Sequence, residues 1–234
     1  MRTRVNDLVL VQGMADTRAT LSAWNAAPWP VLRGWLGWSL AISVTLLLVV
    51  WAIASAITPD PTPILMPGLT APAGLDAVGG VLLRNALVLA LHGFACVAGF
   101  IAGSSMPLTA ERHTGAWRWV HEKAGPLAIA FVVAATAFSL ATQAWVLGGA
   151  AATLAETGGI SPGLLVLGIL PHALPELVAL FLPLAAWMVA SRRGEWEQLL
   201  AATFVTVGIA APVLVLASAI EVYVTPHVLR AIAG

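Results

Sequence analysis

Charged side chains are scarce in this sequence. They make up 9% of its 234 residues and the mean hydropathy is +0.91, whereas a soluble domain carries about 25% charged residues. The positive and negative charges cancel, and no block of basic residues marks a surface for nucleic acid. This composition excludes an ordinary soluble domain and predicts a polytopic membrane protein.

Cysteine and the common catalytic motifs are also missing or nearly so. The one cysteine, Cys96, lies in an apolar run, which excludes a disulfide framework and a cysteine metal site. The sequence has no H-E-x-x-H zinc motif, no G-x-S-x-G nucleophile turn and no phosphate-binding loop. We therefore expect no catalytic residues, no cofactor and no metal. A metal bound by His113 and His121 is an alternative, but the charges around them favour a solvated loop.

Long apolar runs predict an all-α bundle of about five membrane-spanning helices, because about 20 apolar residues cross the hydrocarbon core. The predicted spans lie within a transmembrane domain of residues 35–226, at about 36–57, 84–103, 126–148, 164–190 and 199–220. Tryptophans near the first span predict that residues 1–34 form a short helix on the membrane surface. Residues 227–234 are predicted to be a short tail. The first loop, about 25 residues long, predicts a small surface element of its own.

Arginine and lysine are distributed unequally between the two sides of this topology. The amino-terminal segment and the second and fourth connections carry all of these residues except Arg84 and Arg230. Cytoplasmic loops are enriched in arginine and lysine. The pattern therefore predicts a cytoplasmic amino terminus and an external carboxyl terminus.

Polar residues and prolines interrupt the fourth predicted span. His172 and Glu176 lie four residues apart, on one face of a continuous helix. An ionisable group near the bilayer midplane costs about 2.5–3.5 kcal/mol unless it is paired or wetted. Pro171, Pro175 and Pro183 predict a kinked or broken helix, because proline removes a backbone hydrogen bond. Carbonyls freed in this way must face protein or water, so this span is predicted to face other helices.

Other spans place polar side chains at comparable depths. Counted from the outer ends of their spans, His92 and His172 both lie about 12 Å deep, at 1.5 Å per residue. Gln143 and Glu221 lie near the outer ends of the third and fifth spans. One shared polar cluster around Glu176 explains these depths. Three roles for it stay open: helix packing, a proton- or substrate-responsive element, and a pocket for a partner's transmembrane segment.

The second span also carries closely spaced small residues. Gly99 and Gly103 form a G-x-x-x-G pair, and such pairs allow neighbouring segments to approach closely. The pair is common in apolar helices. It therefore predicts tight packing without indicating a function.

Three short segments carry polar residues in a recognisable order. The first, RNALVLALHGFACVAGFIAG, begins at Arg84, the second, LPHALPEL, at Leu170, and the third, IEVYVTP, at Ile220. They resemble the asparagine-led second span, the P-H-G-x-x-E-L segment and the I-E-G-x-x-[ST]-P ending of the stage II sporulation protein M family of bacterial five-span membrane proteins. Ala173 and Val222 stand where that family usually has glycine.

The resemblance implies a non-enzymatic protein of the bacterial cytoplasmic membrane that holds partner proteins there, such as cell-wall hydrolases on the outer side. It also implies an alternative, the membrane-spanning subunit of a peptide export or immunity system, with a separate ABC ATPase docked on the cytoplasmic loop 104–125. Either role involves the lipid bilayer and protein partners, and either is compatible with a homo-oligomer. At the matched positions, the resemblance implies that Asn85, His172, Glu176 and Glu221 are functional.

Overall fold

The computed structural model of the chain describes residues 9–62, 64–105 and 114–234. Within these residues the fold is all-α, with no strand and one isolated bridge between Pro67 and Ala71. Five helical segments are long and apolar enough to cross a membrane: Trp29–Ala56, Leu75–Ser104, Ile129–Thr157, Pro162–Arg193 and Trp196–Ala233. The prediction of an all-α bundle with five spans is confirmed.

Seven α-helices follow one another along the described part of the chain. They are α1 (Val9–Ala26), α2 (Trp29–Ala56), α3 (Leu75–Phe100), α4 (Gly115–Thr157), α5 (Pro162–Arg193), α6 (Leu199–Ala219) and α7 (Thr225–Ala233). One π-helical turn, Ile101–Ser105, extends α3, and a second, Ile220–Val224, joins α6 to α7. A short 3₁₀ turn, Trp196–Gln198, precedes α6.

Several helices extend beyond the predicted span boundaries. The second span begins at Leu75, well before Arg84, and α4 begins at Gly115, inside the predicted polar loop. Residues predicted as a tail, 227–234, are helical as far as Ala233. The boundaries were predicted from hydropathy and flanking charges. The ends of a helix are instead defined by its backbone hydrogen bonds, which can extend past a charged residue.

The fourth span is a single helix. α5 continues through Pro171, Pro175 and Pro183. The prolines therefore do not break the span, and the kink stays a prediction. In its most apolar stretch 44% of the residues are buried, a larger share than in the other four spans, which agrees with a helix that faces protein.

The chain folds into two compact units. The first unit comprises residues 1–38, 89–135 and 182–209, and the second comprises residues 39–88, 136–181 and 210–234. A core cluster of the first unit combines two large side chains, Trp35 and Leu182, with three alanines, Ala185, Ala186 and Ala202. Alternation of large and small side chains allows helices to pack closely without cavities.

The glycine pair of the second span lies in the first unit. A Cβ atom on Gly99 would lie 2.6 Å from Trp187 Nε1 and 2.8 Å from Leu199 Cδ1. A Cβ atom on Gly103 would collide with Trp196, whose ring meets that of Trp187 edge-on at 6.4 Å between centroids. The tight packing predicted from the G-x-x-x-G pair is confirmed, with tryptophan side chains as the close neighbours.

The connection between α2 and α3 lies in the second unit, and local hydrogen bonds order its described residues. The Asp60 N–H donates to Thr153 Oγ1 at 3.1 Å. The Thr62 N–H donates to the Asp60 carboxylate at 2.8 Å, and this bond holds the pKa of Asp60 below its ordinary value. Thr70 Oγ1 accepts from the Met66 N–H at 2.7 Å, which closes a compact turn. This turn is the small surface element that the loop length predicts.

Candidate functional site

The three segments that the sequence singles out all contribute to one group of polar side chains in the second unit. We call this group the polar cluster. Its members are Arg84 and Asn85 in α3, His172 and Glu176 in α5, Glu221 in the second π-helical turn, and Thr225 at the start of α7. Helices distant in sequence thus supply a mixed acidic, basic and amide site inside the membrane-spanning part of the chain.

His172 joins two of these segments. Its Nδ1 atom lies 2.7 Å from Thr225 Oγ1, and both side chains are buried, with 7% and 0% of their surfaces exposed. The ring tautomer decides which of the two groups donates the proton. The hydrogen bond satisfies a polar side chain in an apolar surrounding and fixes α5 to the start of α7.

Glu176 lies among groups of both charges. Asn85 is its neighbour at hydrogen-bonding range, while Glu221 and Arg84 act on it electrostatically. Arg84 also acts on Glu221, so one guanidinium faces two carboxylates. Like charges in a region of low dielectric repel strongly unless a cation or a proton lies between them. The polar cluster is therefore one positive charge short when both carboxylates are ionised.

Two atoms of the polar cluster are buried without a hydrogen bond. Glu176 Oε2 and Asn85 Nδ2 both lack a partner with acceptable geometry among the described residues. The amide and the carboxylate are adjacent, but adjacency alone does not satisfy a polar group, because a hydrogen bond also requires a suitable angle. A buried unsatisfied group costs about 1–3 kcal/mol. Such atoms are available to a proton, a cation or a polar group of a ligand.

The second π-helical turn carries Glu221, and the loop between α2 and α3 packs against this turn. A π-helical turn accommodates an extra residue and commonly occurs at functional sites. Gly68, with φ +76°, packs against Val222 O and the Pro226 ring, where a Cβ atom would collide. The Arg230 guanidinium donates a hydrogen bond to Gly68 O. The loop thus covers the turn that carries Glu221.

For two predicted members, His92 and Gln143, membership of the polar cluster stays a prediction. His92 is buried in α3 and lies in the first unit. Gln143 donates to Ser139 Oγ on its own helix at 3.0 Å. Depth in the membrane suggested both residues, but depth does not determine which face of a helix a side chain occupies.

Two members were not predicted. Arg84 stands at the predicted start of the second span, directly before Asn85, and its position in the sequence alone does not place it in the cluster. Thr225 was visible as a member of the IEVYVTP segment, but nothing in the sequence paired it with His172. The signal for both residues was their place inside the segments that carry the resemblance.

The described residues contain no group of three or more His, Cys, Asp or Glu side chains that could hold a metal ion. His113 lies outside the described residues, and the His121 side chain is not described. The alternative of a metal bound by these two histidines is therefore left as a prediction.

Comparisons with known proteins leave the site to be interpreted from its own chemistry. No protein-family model, no curated protein and no solved structure matches this chain. The resemblance to the stage II sporulation protein M family stays a prediction.

Proposed function

We propose that this chain is a non-enzymatic component of the bacterial cytoplasmic membrane that holds partner proteins there, in the manner of the stage II sporulation protein M family. One observation carries the proposal. Only 6% of the third span's most apolar stretch is buried, against 33% to 44% in the other four spans. A membrane helix that its own chain leaves uncovered is available to a helix of another protein.

In the third span, none of the side chains from residue 129 to residue 142 is buried. Phe131 and Phe138 are 73% and 76% exposed, whereas Ala151 and Ala155 are buried. Thr142, also exposed, adds a hydroxyl group within the membrane, although it already donates to Phe138 O. One face of the carboxyl half of this span is therefore packed within the second unit, whereas residues 129–142 are available to a partner.

A regular row of small residues connects the packed and the uncovered parts of α4. It alternates steps of four and three residues through Ala137, Ala141, Ala144, Gly148 and Ala151. This spacing is that of left-handed helix packing. Ala144, Gly148 and Ala151 are buried, and a Cβ atom on Gly148 would lie 2.5 Å from Ile53 Cγ2.

The same row is exposed at Ala137 and Ala141, and Ala134 and Ala130 extend it toward the amino end of the span. Its packed part receives the large apolar side chain of Ile53. We infer that its exposed part receives large apolar side chains from the transmembrane helix of a partner protein. Close packing between small and large residues stabilises helix pairs in lipid, because the hydrophobic effect does not drive helices together there.

A bulky residue in the exposed row is expected to displace the partner. Ala137→Trp should lower the amount of co-purifying partner protein by roughly tenfold, since overpacking a helix interface costs about 1–3 kcal/mol. Ala135→Trp is the matched control, because Ala135 is exposed on the opposite face of α4. The measurement is quantitative mass spectrometry of proteins co-purified in mild detergent. Equal partner recovery from both variants would contradict the proposal.

The proposed orientation gives a separate test. With the amino terminus in the cytoplasm, Thr114 is cytoplasmic and Ala73 is external, and both are exposed. In a Cys96→Ala background, an impermeant thiol reagent applied to intact cells is expected to label Ala73→Cys and to leave Thr114→Cys unlabelled. Disruption of the membrane should then expose Thr114→Cys to the reagent. Labelling of Thr114→Cys alone in intact cells would reverse the topology.

The polar cluster favours a second candidate function, the membrane-spanning subunit of an exporter driven by a separate ABC ATPase. The supporting observation is the buried, unpartnered pair of atoms Glu176 Oε2 and Asn85 Nδ2. Export requires polar groups inside the membrane that interact with a proton or a substrate, whereas a scaffold functions with a fully packed interior. An ATPase among the co-purified proteins, lost when residues 104–125 are replaced, would favour this candidate.

A further inference from the structure

The first unit contains an open cleft beside the bend between α1 and α2. The cleft has a volume of about 560 Å³. Its polar lining consists of Arg18, Ser22 and Asn25 of α1, and Leu21 and Trp24 of the same helix also line it. Its apolar side is formed mainly by Val31, Leu32 and Val205. We call it the Arg18 cleft.

The polar side of the Arg18 cleft is a single face of α1. Its three residues follow one another at steps of four and three, so they lie one above the other on the helix. All three side chains are exposed. Arg18 is the one charged residue among the described lining residues. The cleft thus offers a guanidinium, a hydroxyl and an amide, with no carboxylate to compete for them.

The walls of the Arg18 cleft are fixed by packing. A Cβ atom on Gly13 would lie 2.9 Å from the Phe100 ring, so α1 approaches α3 closely at this point. Thr17 is buried and donates to Gly13 O at 2.7 Å. At the bend, the rings of Trp24 and Trp35 meet edge-on, with 5.1 Å between their centroids. These contacts hold α1 against α3 and against the start of α2 beside the cleft.

The two sides of the cleft follow the polarity of a membrane surface. The polar residues precede Trp29, where the first span begins, and the apolar residues Val31, Leu32 and Trp35 lie within that span. Tryptophans such as Trp24 and Trp29 prefer the level of the lipid headgroups. A molecule that fills the cleft would therefore have its polar end toward Arg18 and its apolar end toward the bilayer interior.

We propose that the Arg18 cleft binds an anionic phospholipid, with the phosphate at Arg18, Ser22 and Asn25 and part of an acyl chain along the apolar side. Arginine pairs with phosphate through two parallel hydrogen bonds, which a hydroxyl and an amide donor can supplement. The unopposed positive charge selects a lipid with net negative charge over a zwitterionic one. The apolar side distinguishes a lipid from free phosphate, which would leave that side uncovered.

Native mass spectrometry of the full chain in mild detergent tests the proposal. The purified protein is mixed with phosphatidylglycerol or phosphatidylcholine of equal chain length. We expect the wild-type protein to retain phosphatidylglycerol preferentially and Arg18→Gln to lower this retention about fivefold, since one basic residue at an anionic surface contributes about 1 kcal/mol. Arg18→Lys keeps the charge and should keep most of the preference.

The matched control is Arg33→Gln. Arg33 is exposed in the first turns of α2 and is absent from the described lining of the cleft, so its substitution should leave the preference unchanged. Size-exclusion profiles identify any variant that fails to fold. If Arg18→Gln fails to fold, the lipid preference of Arg18→Lys is compared with that of the wild-type protein instead. Equal retention of the two lipids by the wild-type protein would overturn the proposal. An equal loss in Arg33→Gln, or displacement of the lipid by glycerol phosphate, would overturn it as well.

Discussion

Glu176→Gln is expected to produce a protein that folds and reaches the membrane but has lost its function. Glutamine keeps the volume of the side chain and can still face Asn85, so packing in α5 should change little. It removes the negative charge that interacts with Arg84 and Glu221. It also removes the ability of the buried Oε2 atom to take up a proton or a cation.

Two readouts separate the explanations for this substitution. Complementation of a deletion strain measures function, and the proteins that co-purify measure assembly. Loss of both would support the scaffold, whereas loss of complementation with partners retained would support the exporter. Wild-type behaviour in both would reduce the polar cluster to a packing contact. Glu156→Gln is the control, because Glu156 is an exposed glutamate at the carboxyl end of α4.

The number and order of the spans were predictable because both follow from hydropathy alone. A run of about 20 apolar residues must be a helix in lipid, since the bilayer core offers its backbone no other hydrogen-bond partner. The helix ends were not predictable in this way. α3 begins at Leu75 and passes through Arg84 and Asn85, because a charged residue does not by itself end a helix.

The polar cluster was predictable in part. Glu176 and His172 were identifiable because an ionisable group in a span is costly and must be explained. The pairing of His172 with Thr225 depends on the second π-helical turn, which sets where Thr225 points. No hydropathy or helical period encodes such a turn, since it changes the spacing of side chains by one residue.

The largest effect on stability is expected for Gly103→Ala. The added Cβ atom would lie 2.8 Å from Trp196 Cβ and closer still to the ring atoms Cγ and Cδ2. Real Cβ atoms essentially never come within 3.0 Å of such neighbours. The tryptophan ring is rigid, so relief requires movement of the 3₁₀ turn Trp196–Gln198 or of the helix itself. Overpacking of this kind costs about 1–3 kcal/mol.

Gly93→Ala provides a matched control in the same span. Its added Cβ atom would lie 3.8 Å from Thr203 Cγ2 and 3.8 Å from Val207 Cγ2, which is ordinary van der Waals contact. Alanine also favours a helix over glycine by about 1 kcal/mol. Thermal unfolding in detergent should therefore shift to lower temperature for Gly103→Ala and stay the same or rise for Gly93→Ala. Equal shifts in the two variants would show that Trp196 does not pack against Gly103, because helix propensity alone predicts the same change at both positions.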